Sequence, residues 1–530
     1  MNGWKTLLST AMIGTGRQTP SAPKGNDALS QTLRQLDWKE PEAALLSAAG
    51  AIALHRKVGS VHTFSLPNLP TISPCKPEEQ ACCNQQVAKC LRIVIKDYPA
   101  LLPEILSLIA SMQQRIPPKQ LPKLLDFGRS QTALQSLILS VVGKRGQWLS
   151  HQNADWQYVT FSGKEDFDSE AFQQQWRSSA RRRCSLLQRW REVDSAAARD
   201  FLEPKWKEES AKDRDELIEA LAVSLSMEDE PFLESVLADR SKSVRHKAGK
   251  LLRQLPNSRL CQRMAERAQP FVQFSGRGKS LQICVVLPER FDDSFFKDGI
   301  EKAARNRFGE KVSWLHQIVA SAPLSVWPEP SVVLNAVKES EYCEALVSGW
   351  AIAAAAQKDA SWAEGLLKAF GTEKSYGQEM RSLISLISIE KQKTYLESAM
   401  PKQVESEGFD IISWLRFVSQ PSQRWDLAFS HIVIEQLAKL TESKGRHAAL
   451  VYDQSGLALT LHPGIAPKAK HTINNILEGQ GIDTTHRAFN DKFLSMLTMR
   501  WEIYRAIASS SATSDHPTTT LKVRGPATES

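Results

Sequence analysis

Eight cysteines and eleven histidines are the chain's stock of metal ligands and nucleophiles, and their spacing decides what they can do. Cys75, Cys82, Cys83 and Cys90 lie within sixteen residues, but none of the gaps is the two-to-four-residue spacing usual for a structural zinc knuckle. Cys83 and Cys90 stand seven apart in "CCNQQVAKCLRIVI", which on a helix puts both on one face as small core residues. The histidines are scattered and form no H-E-x-x-H pair; His246 reads as a packing or solvent residue of a helix. "SGRGKS", 275–280, ends like a phosphate loop, yet the Walker pattern needs a glycine where Gln273 stands, and strand-like runs flank the segment. A hairpin turn is expected instead. There is no G-x-S-x-G elbow, and the acidic stretches "DRDE", 213–216, and "MEDE", 227–230, precede or begin helices, where carboxylates complement the dipole. No catalytic, metal-ligating or cofactor-binding residue is expected, and no cofactor.

The arginines of "WRSSARRRCSLLQRWRE", 176–192, are the strongest charge signal. At 100° per residue Trp176, Ala180, Cys184, Leu187 and Trp190 share one stripe, which Phe172 extends. Arg177, Arg181, Arg182 and Arg189 project from the other side, while Arg183 and Arg191 border the stripe. Single-strand binding sets aromatics beside cations so that bases can stack; here the rings point away, which leaves only a grip on the phosphate backbone. Charge runs on helices are more often solvated faces or ion pairs between repeats. The candidate partner-binding residues are Arg181, Arg182 and Arg189, with Lys242 and Lys247, which are expected to be exposed.

The elements that must carry these residues are helical. With 530 residues, 42% hydrophobic, the chain can bury extended cores, and a formal charge of +8 spread over that length compels no polyanionic partner. "LVSGWAIAAAA", 346–356, falls short of the roughly 20 residues of a membrane span. The N-terminus has one lysine before a short segment broken by Ser and Thr, too weak for a signal peptide. Eight cysteines in such length fit a reducing compartment, so a cytoplasmic protein without membrane contact is expected.

Between 212 and 256 three helices are predicted. Leu217, Ile218, Leu221, Ala222 and Leu225 mark the first, Phe232, Leu233, Val236 and Leu237 the second, and Val244, Ala248, Leu251, Leu252 and Leu255 the third. The last two must pack as a hairpin. Asp239 stands where it could accept from the third helix's free N–H groups, and an Arg could reach a neighbouring repeat's carboxylate. Asp194 lies forty-five residues earlier in "DSAAARDFL", a period typical of helical solenoids. The predicted organisation is a mainly α, HEAT-like helical-repeat solenoid with one or two small β-hairpin insertions. It comprises an N-terminal helical region at 1–160, repeats at 161–268, a hairpin and connecting segment at 269–330, a helical region at 331–508 and a disordered tail at 509–530. "FVQFSGRGKSLQICVVLP" reads as one hairpin and "RHAALVYDQSGLALTLHP", 446–463, as a second.

The stretch from "WREVDSAAARDFL" to "KAGKLLRQLP", with "LLSTAMIGTGRQTP" and "LPKLLDFGRSQTALQSLILSVVGKRGQWLSHQNADW", resembles a bacterial family of uncharacterised HEAT-like repeat proteins. The likeness runs from 4 to about 370. Genes of that family often stand beside MoxR-type AAA ATPases, von Willebrand factor A domain proteins and SWIM zinc-finger proteins. The resemblance implies a non-enzymatic scaffold or adaptor for such a system, and it supplies no catalytic residues to carry over. Where the family often has Pro after the first repeat's Asp, this chain has Ser195. The alternative is a nucleic-acid-binding repeat protein using a basic face.

Overall fold

The computed structural model describes residues 2–58, 73–159, 172–173, 176–302, 307–401, 411–420, 424–442, 454–479 and 484–511. Among them the chain is mainly helical and solenoid-like, with one two-stranded sheet. It divides into two compact units, Met1–Pro74 and Cys75–Ser530; the regions expected between 75 and 508 lie within the second.

The first unit has three helices, α1 (Asn2–Ile13), α2 (Ala28–Arg34) and α3 (Pro41–Val58). Asp27 starts α2 by accepting the Ser30 N–H at 2.9 Å, satisfying a backbone donor that the first turn leaves orphaned. Both α1 and α2 pack on α3. Their shared core is small: Leu33, Ala48 and Ile52, flanked by Trp4, Leu7, Leu29, Leu36 and Trp38.

The second unit opens with α4 (Gln85–Asp97), α5 (Leu102–Ser111), α6 (Leu121–Ser130), α7 (Gln135–Leu139) and α8 (Gly143–Gln152). The Asn84 side chain caps α4 on the Val87 N–H at 2.8 Å. Cys83 therefore precedes the helix that carries Cys90, although both are buried. Helices α9 (Ala180–Val193) and α10 (Ser195–Leu202) meet at Asp194, which caps α10 through the Ala197 N–H at 3.0 Å.

Helix α11 (Ala211–Leu217) is shorter than its apolar spacing suggests: the chain tightens into a 3-10 turn over Ile218–Ala222. Three residues per turn carry the face around, so Ala220 is buried and Ala222 exposed. Helix α12 (Glu230–Val236) follows a Ser226/Asp229 capping box with Pro231 in its first turn. Helix α13 (Lys242–Leu252) packs on α12, and α14 (Arg259–Phe271) is capped by Ser258. Phe232, Leu233, Val236, Leu237, Val244, Ala248, Leu251, Leu252 and Leu255 are all buried.

Strand β1 (Val272–Ser275) continues directly from α14 and pairs antiparallel with β2 (Gln282–Val285), Val272 opposite Val285 and Ser275 opposite Gln282. Eleven further helices follow: α15 (Asp293–Lys297), α16 (Glu310–Val319), α17 (Pro330–Ala336), α18 (Cys343–Gln357), α19 (Ala360–Phe370), α20 (Gly377–Ile384), α21 (Ile389–Ser398), α22 (Ile411–Val418), α23 (Leu427–Glu442), α24 (Gln454–Thr460) and α25 (Ala466–Gly479). Helix α26 (Thr484–Ser511) closes the series.

Helix α24 corrects the second hairpin. Leu457, Ala458 and Leu461 in "GLALTLHP" are buried on a helical face, because a short apolar run satisfies either period and tertiary packing selects one. Residues 446–453 of that segment lie outside the described residues. So do 512–530 of the expected tail, whereas 509–511 complete α26.

Packing in the second unit follows a simple rule: one row of helices stacks step by step. Helix α9 packs on α11, α11 on α13, α13 on α14, α14 on α16, and then α16, α18, α20, α22, α24 and α26 each on the next. Helix α26 packs back on α4. A solenoid ordinarily exposes an apolar face at each end and needs capping repeats; here the two ends of the unit cover one another. One continuous apolar core runs from Cys83 to Ala506.

Candidate interaction surfaces

Helix α9 answers the question its arginines pose. The helix starts only at Ala180, after a break at Arg177–Ser179, so Phe172 and Trp176, expected on its stripe, precede it; they are buried all the same, and with Trp190 they gather around Phe201, with ring centroids between 4.9 and 5.6 Å from it. Of the expected partner-binding residues, Arg181 is exposed, with no guanidinium partner among the described residues. Arg182 pairs with Asp155 at 2.9 Å, and Arg189 donates to the Tyr158 carbonyl. Lys242 is largely exposed and pairs with Glu301 at 3.2 Å. Lys247, expected to be exposed, is not: its ammonium is drawn between Asp215 at 2.9 Å and Glu219 at 2.6 Å, with only a quarter of the side chain accessible. Lys247 contacts the α11 segment that precedes it in the stack, so it serves the packing of α13 on α11.

The arginines at the border of the stripe are the ones that matter for packing. Arg183 is held by Glu209 and Asp213. Arg191 is fully buried against Asp229, with two parallel bonds of 3.0 and 2.7 Å. Its remaining donors reach the Val223 and Ser224 carbonyls at 2.7 and 3.2 Å. Ser224 adopts a left-handed backbone, φ 49°, a conformation that costs a non-glycine residue and that turns both carbonyls toward the guanidinium. Asp229 thus has two roles. It accepts the Ser226 N–H at 3.0 Å as a capping residue, as expected of "MEDE", and it neutralises Arg191. The position of Arg191 at the edge of an apolar stripe is the sequence signal that could have marked it.

Asp239 differs from its expected role. It does not cap α13, whose N-cap is Ser241; it accepts the Ser241 N–H at 2.8 Å and pairs with Arg214 of α11 at 2.8 Å. The residue two positions upstream of the helix is too early to reach the first-turn donors. The arginine-to-neighbouring-carboxylate bridge does form.

A polar cluster absent from the sequence reading lies along α16, α18 and α20. His316 Nε2 lies 3.1 Å from Ser348 Oγ, which donates to Glu379 at 3.0 Å; Arg307 stands 3.6 Å from Glu379 and 2.7 Å from Glu344. Burial pushes the His316 imidazole down to about 4, against the opposing pull of Glu379. The ring is therefore neutral at ordinary pH. Its Nδ1 is buried without a hydrogen-bond partner among the described residues. No single spacing in sequence links these groups, because His316, Ser348 and Glu379 come from three different helices and Arg307 from the segment before α16. Ser348 is 2% exposed, so this is not an accessible nucleophile.

Two of the buried cysteines fall the same way. Burial raises Cys83 to about 12 and Cys184 to about 11, which removes the thiolate that nucleophilic or metal chemistry requires. Among the described residues no three His, Cys, Asp or Glu side chains stand together as a metal site. Likewise no described helix is long and apolar enough to cross a membrane.

The first unit presents a different kind of surface. Ala44, Ala48 and Ile52 are the buried edge of α3, yet Leu46 and Leu54 on the other side are 71% and 63% exposed. Ala43, Gly50 and Ala53 extend that outward stripe, and Ser47 contributes its one hydroxyl. Helix α1 adds exposed Leu8, Met12 and Ile13. A helix with apolar residues on both sides is normally buried on both, and α3 is buried on one side only.

A family described as "Family of unknown function (DUF5691)" matches residues 6–507. No curated protein and no solved structure matches the chain.

Proposed function

We propose that this chain, which belongs to the DUF5691 family of unknown function, is a non-enzymatic helical scaffold that docks a protein partner on its first unit. The observation that carries the reading is the outward apolar stripe of α3, with Leu46 and Leu54 exposed, and the exposed Leu8, Met12 and Ile13 of α1 in the same unit. Covering a fully exposed Leu or Met is worth about 1.5–3 kcal/mol, so a few such residues supply the core of an interface. The resemblance to HEAT-like proteins encoded beside MoxR-type AAA ATPases and von Willebrand A domain proteins makes one of those the proposed partner. The second unit is closed by its own terminal helices.

Two observations weigh against a polyanion grip. Arg182, Arg183, Arg191, Lys242 and Lys247 are each engaged by carboxylates, and Trp176 and Trp190 are buried. The test is capture from a nuclease-treated host extract by the full chain and by its Met12→Ser, Leu46→Ser, Leu54→Ser variant, followed by binding of the purified ATPase or A-domain protein. Direct binding by the parent chain, reduced at least tenfold in a variant with an unchanged melting curve, supports the reading. Equal binding by both, or recovery of nucleic acid alone that salt removes, overturns it.

A further inference from the structure

Arg253 is an arginine without a counter-ion. It ends α13 as the helix's C-cap, half-buried, and its Nε donates to the Gly249 carbonyl at 3.2 Å. The other four N–H donors of the guanidinium have no partner among the described residues. Burial lowers the basicity of this group, and what pulls the other way is the Cys261 thiol, which burial raises, so that it carries no charge at neutral pH. The arginines of α14 are different: Arg259 is paired with Glu230, and Arg263 and Arg267 with Asp298. A guanidinium taken out of water calls for an anion, and the C-terminal carbonyls of α13 offset only part of its charge.

Arg253 lines a small enclosed cavity with Arg245, His246, Leu260, Asp298 and Ser321. Arg245 and Arg253 are two turns apart on one face of α13. Arg245 spends Nη1 on the Asp239 and Arg240 carbonyls, and its remaining donors have no hydrogen-bond partner among the described residues. At the start of α14 the Arg259 N–H is taken by Glu230 and the Cys261 N–H by Ser258. That of Leu260 has no acceptor among the described residues, and such a donor is what a helix N-terminus offers an anion. The cavity gives the centre of a water-sized sphere about 20 Å³ in which to move, more than the roughly 10–15 Å³ that one water needs and too little for an organic molecule.

We propose that this cavity binds one hydrogen phosphate ion, gripped by the guanidinium groups of Arg253 and Arg245. Planar N–H forks match the oxygens of an oxyanion better than they match a spherical halide. Asp298 is the one carboxylate lining the cavity among the described residues. Arg263 and Arg267 neutralise it, and its oxygens still accept, so an anion that carries its own hydroxyl meets a partner there. Sulfate, with no proton at neutral pH, meets a like charge instead. His246 is exposed and stands at the rim. Partial burial and then the Arg253, Lys250 and Lys242 cations hold its imidazole below the ordinary value, against the pull of Glu301, so it reports on any anion that enters.

The test follows thermal unfolding of the intact chain as sodium phosphate is added at constant ionic strength, with sodium chloride as the balancing salt and sodium sulfate and phenyl phosphate as comparison anions. Phosphate should raise the melting temperature along a curve that saturates at millimolar concentration, as a bound ligand does. Sulfate and phenyl phosphate, whose ring the cavity cannot admit, should need at least ten times the concentration for the same rise. Arg253→Met should raise the phosphate requirement at least tenfold, yet in chloride alone it should melt no lower than the parent, because it removes a cation that has no partner. The second readout is the His246 imidazole of the parent chain, assigned with His246→Gln, and it serves where Arg253→Met does not fold: its NMR titration midpoint should move up with phosphate and stay in place with chloride. Equal action of the anions, a phosphate response unchanged by Arg253→Met, or a His246 midpoint indifferent to phosphate overturns the site.

Discussion

Glu104 and Arg500 are 396 positions apart and form a two-point ion pair of 2.7 and 2.8 Å in the core of the second unit. Arg500 also donates to the Ala458 and Leu461 carbonyls, and the Tyr504 hydroxyl donates to Glu104 at 2.9 Å. The pair joins α26 to α5 where the last helix packs back on the first.

Removing one member leaves a charge buried without its partner. Glu104→Ala should destabilise the chain by about 3–5 kcal/mol, measured by urea unfolding. Amide exchange in α4 and α26 should accelerate first if the contact holds the ends together. A loss below about 0.5 kcal/mol would show that closure depends on the apolar contacts alone.

The arginines of α9 should separate by burial. Arg191→Met leaves Asp229 buried without its cation and should cost about 3–5 kcal/mol. Arg181→Glu changes a solvated side chain and should stay within about 0.5 kcal/mol. Melting curves of the two variants check this, and similar losses in both would contradict the packing described for α9.

Arg214 and Asp239 should be coupled across α11 and α13. Asp239→Ala is expected to cost about 2 kcal/mol, the range of a charge-assisted hydrogen bond, and Arg214→Ala together with Asp239→Ala should cost less than the sum of the two. A double-mutant cycle gives that difference; strict additivity would mean that the bridge contributes nothing.

His316 makes stability depend on pH. Its imidazole has an ordinary value of 6.5 and is lowered to about 4 by burial in the folded chain. Between those values the unfolded chain binds a proton that the folded chain refuses. The contribution is therefore complete above about pH 6.5, is lost as pH falls toward 4, and changes no further below that. From pH 7.5 to 5 this group should remove about 2 kcal/mol, and His316→Gln should flatten that part of the profile. An identical slope in parent and variant, read from urea midpoints at both pH values, would assign the dependence elsewhere.

The helices were legible wherever the signal is local. The stripe of Cys184, Leu187 and Trp190, the Asp194 cap and the hairpin around "SGRGKS" all depend on residues a few positions apart, and periodicity or turn chemistry reports them. Short segments were less legible. Ile218–Ala222 tightened into a 3-10 turn, and "GLALTLHP" became a helix, because a run of that length fits more than one period and its neighbours choose.

What the sequence by itself determined is the helical class, the buried faces of most helices and the lack of any recognisable catalytic pattern. Only the tertiary structure decided which charges are spent. Arg181 and Arg191 share one helix and one chemistry, yet one is solvated and the other sealed against Asp229. Nor does local periodicity say that Glu104 meets Arg500. A side chain's neighbours along the chain set its helical face; the neighbours it meets through packing set its charge partner, and those lie tens to hundreds of positions away.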